Sequence, residues 1–498
     1  MNLSIPLRVA ALGALALTMG AAQALADEVP AADAQPLAMP MSLQMRFDPA
    51  HLEGGERLGL LSTALLLEAE PGWWMGPAVV GAATGQRGGF FVLGGQIERR
   101  WRLQGPWRAQ LGLMAGGGGG GGAPVGGGLM VVPAASLLYD WGPVQTGLAW
   151  SRVNMPSGRM GSQQIGLVLN WDGRLHYFDA ADVGRSSSAP GRTGLGVDRL
   201  MLTGAQLHVK ARPGQPASNL KLVGVRAEQR AGGNCYWGLE AAAATHGGAD
   251  GYMELLGTGG WETSAAAIGL DDVYGGVRLS LGLGGGGALD TGGGTLGKAA
   301  GVLRWEIGPD AFVSMEAGAV RSGSGAYQAH YAQWQLGWQL DHPGRTSSTR
   351  IVGLEWSASL QHVLRAQRKD GRQLDLDTVG IKLKRQLGAQ FYLTGQAHSA
   401  FSGQAGAYSL GLVGAGWQTD LGSPQWHLGA ELLAGAAGGG GVDTEGGAVA
   451  QGMVLLGHTI GPRSRLQIGA GRIRSLHGGL SSPVIDVSWT QSFGSGQR

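Results

Sequence analysis

The chain has 498 residues, a formal net charge of +2, 43% hydrophobic and 14% charged residues, 94 glycines, 16 tryptophans and one cysteine. Soluble globular domains carry roughly 25% charged residues, so this composition is too poor in ions for an ordinary enzyme surface and too apolar for a disordered chain. The near-zero net charge gives no basic footprint for nucleic acid, and the glycines follow no collagen period.

Residues 1–26 combine Arg8, an apolar core from Val9 to Thr18 and the small-residue ending Ala24-Leu25-Ala26 before Asp27. This is the pattern of a cleaved secretory signal, too short to stay in a bilayer as a helix. Residues 27–57 read as a periplasmic linker with one short strand. No later run reaches the ~18 consecutive apolar residues of a membrane helix. Lone Cys235 cannot form an intramolecular disulfide.

From there on the dominant signal alternates every second residue. Ile165, Leu167, Leu169 and Trp171 oppose Gln164, Gly166 and Asn170. Trp334, Leu336, Trp338 and Leu340 oppose Gln333, Gln335 and Gln339. Trp426, Leu428, Ala430 and Leu432 oppose His427, Gly429 and Glu431, and Ile485, Val487, Trp489 and Phe493 oppose Asp486, Ser488, Thr490 and Ser492. These are two-faced strands. Gly105-Pro106, Gly142-Pro143, Gly308-Pro309, Gly422-Ser423-Pro424 and Gly461-Pro462 separate strand pairs as tight turns, with weaker candidates at Pro71-Gly72, Gly275-Gly276, Pro343-Gly344 and Leu387-Gly388. Their spacing of about 35 to 40 residues fits two strands and one longer loop. The stretch 174–274 does not resolve into a definite number of strands.

Two hairpin types recur. One has a glycine apex: Gly116 to Gly122, Gly284 to Gly287 followed by Leu289-Asp290-Thr291, and Gly438 to Gly441 followed by Val442-Asp443-Thr444, with Leu376-Asp377-Thr378 as a degenerate copy. The other runs through a Ser/Gly tip to a Trp-bearing strand, as in Phe312 to Asp341 and Phe391 to Asp420. The glycine apices read either as flexible outer loops that gate a conduit or as repeat expansion in tolerant loops.

Strands that are apolar on one face and Gly, Ser, Gln or Asn on the other do not suit a sandwich, whose solvent face is rich in charge. A barrel in lipid, apolar outside and polar inside, fits them. Trp107, Trp141, Trp171, Trp305, Trp338, Trp417, Trp426 and Trp489 lie near the short turns or the chain end and form a candidate periplasmic belt. The chain resembles the bacterial outer-membrane β-barrel class, porin-like or export-channel-like. The resemblance covers residues 58–493 as a pattern and is most specific in the last strand. There Ile485, Val487, Trp489 and Phe493 look like the recognition signal for the barrel-assembly machinery, although that class usually ends on the aromatic and here residues 494–498 follow as a tail. The expectation is an all-β, transmembrane antiparallel barrel of roughly 22 to 26 strands, wide enough that it must conduct or be filled.

Strand parity puts Arg304, Glu306, Glu316, Glu355, Lys382, Lys384, His427 and Glu431 inside, as pore-lining groups or as structural ion pairs across the lumen. Arg472 and Arg474 fall on the outward face near an external tip, placed for lipid A phosphates or for simple snorkelling. The expected function is a pore or conduit for solute or exported material, with outer-membrane lipid, lipopolysaccharide and a periplasmic secretion or export partner as associates. A structural or surface-interaction barrel is the alternative. A lipid hydrolase is the second alternative, with His398, Ser399, Ser402, His246, His477, Ser481 and Ser482 as its only pieces. An enzyme is not expected. Scattered histidines point to no metal, the glycine runs lack the Lys-Ser/Thr of a phosphate loop, and no cofactor is expected.

Overall fold

The computed structural model describes residues 33–52, 55–189, 191–211, 218–324, 327–341 and 349–497. The signal segment 1–26 lies outside them. The described residues hold 25 strands and two three-residue 3-10 helices. Every strand pairing is antiparallel, and consecutive strands pair as hairpins.

The all-β class, the hairpin construction and the strand number agree with the sequence. The closure differs. The strands join in three rings of eight instead of one wide ring. In the first ring, Leu37–His51 pairs with both Arg57–Glu70 and Gly161–Tyr177. In the second, Arg199–Val209 pairs with Ser218–Gly232 and Gln328–Gln339. In the third, Thr349–Gln367 pairs with Gln373–Gln386 and Ser481–Gln497. Each eighth strand returns to its own first strand because its ladder is satisfied there, along up to fourteen residue pairs in the third ring.

Two boundaries move. The expected linker 27–57 contains Leu37–His51, a complete wall strand, because Met41, Leu43, Met45 and Phe47 alternate with Ser42, Gln44, Arg46 and Asp48. The expected tail 494–498 continues the last strand to Gln497, paired with Arg350. Gly275-Gly276 is not a turn but lies inside Leu270–Gly285. The stretch 174–274 contains four strands of the second ring, Arg199–Val209, Ser218–Gly232, Cys235–His246 and Met253–Ala265.

The rings touch in a cyclic order. The fifth strand of each packs on the third strand of a neighbour: Trp107–Gly119 on Phe391–Ala400, Leu270–Gly285 on Trp73–Thr84, and Trp426–Gly438 on Cys235–His246. The arrangement is a pseudo-threefold, with the fourth strands turned toward the axis at the outer end. All three glycine apices follow fifth strands. By contrast, the hairpins Phe312 to Asp341 and Phe391 to Asp420 sit at the seventh–eighth and third–fourth positions of their rings. Leu376-Asp377-Thr378 lies within a second strand.

The apices are a clasp. A Cβ on Gly119 would lie 2.8 Å from the Gly406 carbonyl, one on Gly285 would lie 2.5 Å from the Gly89 nitrogen, and one on Gly438 would overlap Gly251. Only bare backbone fits there. The following residues Gly121, Gly287 and Gly440 have φ of 57, 56 and 58°, left-handed values that a Cβ disfavours. Hydrogen bonds cross the same seams, from Gly88 N–H to Gly292 O at 2.7 Å and from Gly406 N–H to Gly126 O at 3.1 Å.

At the opposite end residues 178–189 and 191–198 tie the rings together. Phe178 exchanges backbone hydrogen bonds with Gly494, and Ser186–Ser187 pairs with Thr349 and Arg350. Arg192 reaches Asp198 at 2.7 Å beside the second ring. Arg463 of the third ring donates to Asp179 at 3.0 Å and to Tyr177 at 2.9 Å. The Ala181 N–H, then the Arg463 guanidinium, hold the Asp179 carboxyl below its ordinary range.

Two outcomes follow. In a Cys235→Ser background, a short bis-maleimide should bridge cysteines at Ala83 and Thr295, whose Thr295 Oγ1 donates to Ala83 O at 2.5 Å. Adding Gly285→Val should abolish the bridge while far-UV circular dichroism keeps its strand signal. Because the Asp179 value is depressed, its contribution is full above the ordinary carboxylate pKa of about 3.9. It is lost as pH falls through the lowered folded value. Asp179→Asn should therefore speed hydrogen exchange at Ser186–Ser187 already at neutral pH, where the parent shows the same acceleration only in acid.

Candidate functional site

An eight-stranded ring leaves an interior just wide enough for its own side chains, so the site question concerns three narrow lumens. Each is layered. The outer part is apolar and buried: Leu60, Phe90 and Met130 in the first ring, Leu207, Tyr252 and Leu296 in the second, and Leu376, Leu433 and Ile473 in the third. The part toward the short turns is polar, since strand parity continues while side chains change from Leu and Val to Gln, Ser, Glu, Lys and Arg.

The second lumen holds the densest network. Arg226 grips Glu316 with both terminal nitrogens, at 2.9 and 3.0 Å, and donates through Nε to Glu240 at 2.7 Å. Arg278 donates to Glu228 at 2.8 Å and also reaches Glu316. Arg199 and Arg304 both reach Glu262 at 3.0 Å, and Lys298 pairs with Glu254. Tyr331 and Gln335 complete the Glu316 carboxylate at 3.2 and 2.8 Å. Five cations (Arg199, Arg226, Arg278, Lys298, Arg304) face five carboxylates (Glu228, Glu240, Glu254, Glu262, Glu316), none more than 5% exposed. The balance is neutral, and at this burial each charge must have its counter-charge.

In the third lumen Lys382 pairs with Asp486 at 2.6 Å, Lys384 with Glu431 at 2.8 Å, and Arg465 with Glu355. Tyr392 donates to Glu431 at 2.9 Å. In the first, Arg46 meets Asp48 at 2.7 Å, and Arg100 meets both Glu98 at 2.5 Å and Asp172 at 3.2 Å.

The residues singled out from sequence therefore divide between two rings. Arg304, Glu306 and Glu316 are in the second, with Glu306 at the short-turn mouth on Arg304 at 2.9 Å. Glu355, Lys382, Lys384, His427 and Glu431 are in the third. There His427 sits at the short-turn end between Asp420 at 2.8 Å and Thr459 at 2.9 Å. Sequence reasoning missed their partners Arg226, Arg278, Glu262, Arg465 and Asp486, and the carboxylates Glu228 and Glu240 that pair with Arg278 and Arg226. The parity of Arg226 and Glu228, two residues apart on one face, was the available signal.

Arg472 is exposed on the outer wall and donates to Ser481 O at 3.1 Å; Arg474 is exposed beside it. Ile485, Val487 and Trp489 face outward, and Trp489 packs edge-on against Trp356. Phe493 packs on Tyr177 across the seam between the third and first rings. His398 is buried in the third lumen over Gly380. Ser399 instead bonds Ser409 at 2.7 Å, and Ser402 donates to Asp377 at 2.5 Å. The hydrolase pieces do not converge.

Between the three apices lies a cavity of about 580 Å³, lined by Gly120, Gly121, Gly286, Gly287, Gly438 and Gly439 among others. It sits on the pseudo-threefold axis, outside every lumen.

The outer walls are apolar: Leu148, Ile165, Leu279, Leu281, Leu432 and Ile468 are exposed. Exposed Trp107, Trp141, Trp171, Trp237, Trp305 and Trp426 gather at the short-turn end. Closed rings with an apolar wall and an aromatic belt are the architecture of outer-membrane barrels, and the chain is a protein of that class and location. No family model and no curated protein matches the chain. Among solved structures it is similar to the Pseudomonas aeruginosa channel OccK1 (OpdK), with 9% identity, TM-score 0.25 and coverage of 92% of this chain and 98% of that one. It is also similar to the siderophore receptor PirA of the same organism, with 7% identity, TM-score 0.27 and coverage of 94% and 81%.

Arg226→Met leaves Glu240 and Glu316 short of charge in a buried lumen, which costs about 3–5 kcal/mol. The unfolding midpoint of the detergent-solubilised protein should fall accordingly. A change below about 1 kcal/mol, as at an exposed pair, would show the lumen to be solvated.

Proposed function

We propose that the chain is a structural or surface-interaction barrel of the outer membrane, in which the three lumens are cores and the glycine-clasped outer end is the presented surface. The carrying observation is the second lumen, where ten mutually neutralised charges sit beneath an apolar layer that includes Tyr252, Tyr327 and Leu296. An ion entering there meets charges already paired, with Arg230 near the short-turn mouth the one inward cation among the described residues without an ion pair, and the apolar layer opposes water entry from the outer end. Recognition of the last strand by the barrel-assembly machinery, through Ile485, Val487, Trp489 and Phe493, belongs to the same reading.

The second reading is a conduit, and one observation favours it. In the third lumen both amide atoms of Gln361 and of Gln451, the Thr378 hydroxyl and His398 Nδ1 are buried without a protein partner. Buried polar groups are normally satisfied, so this lumen calls for water, as does the second, where the Tyr236 and Thr258 hydroxyls and Gln333 Nε2 are also without a protein partner. Solute passage would require Lys382–Asp486 and Lys384–Glu431 to separate and the Leu376, Leu433 and Ile473 layer to open. A secretion or export partner belongs to this reading.

Planar bilayers distinguish the two. The purified full chain should give no sustained conductance steps, and Lys382→Ala should not create them. Discrete steps in the parent protein would overturn the closed-lumen reading, and their loss or enlargement in Lys382→Ala would place the path in the third ring.

A further inference from the structure

The seventh strands carry a feature that the lumens do not explain. They are Val144–Asn154, Ala311–Ser322 and Ser464–Ser475. Their outer ends close alike: the N–H groups of Met155, Ser322 and Ser475 donate to the carbonyls of Met160, Tyr327 and Leu480, at 3.0, 2.9 and 2.9 Å. Aligned on these bonds, Arg152 and Arg472 occupy one position, three residues before the closure. Arg321 and Arg474 occupy another, one residue before it. All four side chains are exposed on the outer wall. Arg472 rests on Ser481, and among the described residues none of the four has a carboxylate within ion-pair distance.

Position gives these arginines their meaning. Third and fifth strands face the neighbouring rings, so the seventh strand lies on the far side, toward lipid. The outward wall next below these arginines is apolar: Leu148 and Trp150 under Arg152, the small Ala317 and Ala319 under Arg321, and Ile468 and Ala470 under Arg472. At ~3.3 Å per residue, one to three residues set the guanidinium at headgroup depth.

We propose that each ring binds, on the outer end of its seventh strand, a phosphate group of a phosphorylated glycolipid of the outer leaflet, with the apolar wall beneath receiving its acyl chains. Arginine presents a planar fork that matches phosphate oxygens. No carboxylate among the described residues competes for these guanidinium groups, Arg472 alone sharing its fork with Ser481, and the apolar wall below separates this ligand from free phosphate.

Native mass spectrometry of the full chain in detergent tests the proposal, with bis-phosphorylated lipid A, its dephosphorylated form, phosphatidylglycerol and inorganic phosphate as probes. Lipid A should bind in up to three copies, and the dephosphorylated form about tenfold more weakly or worse, as loss of a charge-assisted hydrogen bond predicts. Combining Arg152→Gln, Arg321→Gln, Arg472→Gln and Arg474→Gln should give a loss of the same size. Arg152→Gln alone should lower the maximum by one copy, which keeps the test valid if the combined variant does not fold. Equal binding of dephosphorylated lipid, unchanged binding by the variants, or equal binding of phosphatidylglycerol would overturn it. None of these outcomes depends on whether a lumen conducts.

Discussion

Closure after eight strands is the constraint from which the rest follows. Once Leu37–His51 takes Gly161–Tyr177 as its second partner, the interior has no room beyond its own side chains. Everything on the polar parity is then buried, and every inward charge must find a partner within one narrow tube. Ten charges paired in the second lumen are the result of that confinement. Among the described residues, exposed charges without an ion pair lie on the outer surface at both ends, Arg152 and Arg321 at the outer rim and Arg174 and Asp271 at the short-turn end.

Because each ring is closed, no ring offers a free strand edge to another, and the rings must associate without sharing hydrogen-bond ladders. They do so at two levels. At the outer end bare glycine backbone meets backbone, which gives the long glycine runs a packing role: Gly119, Gly285 and Gly438 stand where any side chain would hold the rings apart. At the short-turn end residues 178–189 and 191–198 pass all three rings, pairing with the third at Thr349 and Arg350. The glycines weaken their own strands, a local cost offset by association at each seam.

Much of this was legible in the sequence, and the boundary of legibility is physical. Alternation is a local signal: wherever the outer face met lipid and the inner face was Gly, Ser or Gln, as in Ile165 to Trp171 or Val484 to Phe493, strand, face and membrane location followed. Between Arg199 and Leu270 the inner face holds Arg226, Glu228, Glu240, Glu254 and Glu262, large ions that mask the apolar alternation, and there the strands were unreadable. Ring closure was unreadable for another reason. The turn before a closing strand looks like any other turn, whereas the decisive pairings, Leu43 with Trp171 and Leu202 with Leu336, lie far apart along the chain. The recurrence of a glycine apex once in every eight strands was the trace of the threefold plan, visible as a repeat but not as a ring count. Site residues fared likewise: parity placed Lys382, Lys384 and Glu431 on the inner face, but their partners depend on which strands share a lumen.

The central claim is the pairing of the first strand with the eighth. In a Cys235→Ser background, Leu43→Cys and Trp171→Cys should form a disulfide under mild oxidation in the outer membrane, as should Leu202→Cys with Leu336→Cys. Formation of both bonds is the result three separate rings require. If neither forms, and cysteines placed on Gly161–Tyr177 bridge instead to Arg199–Val209, the strands run on around one large circumference and the account is wrong.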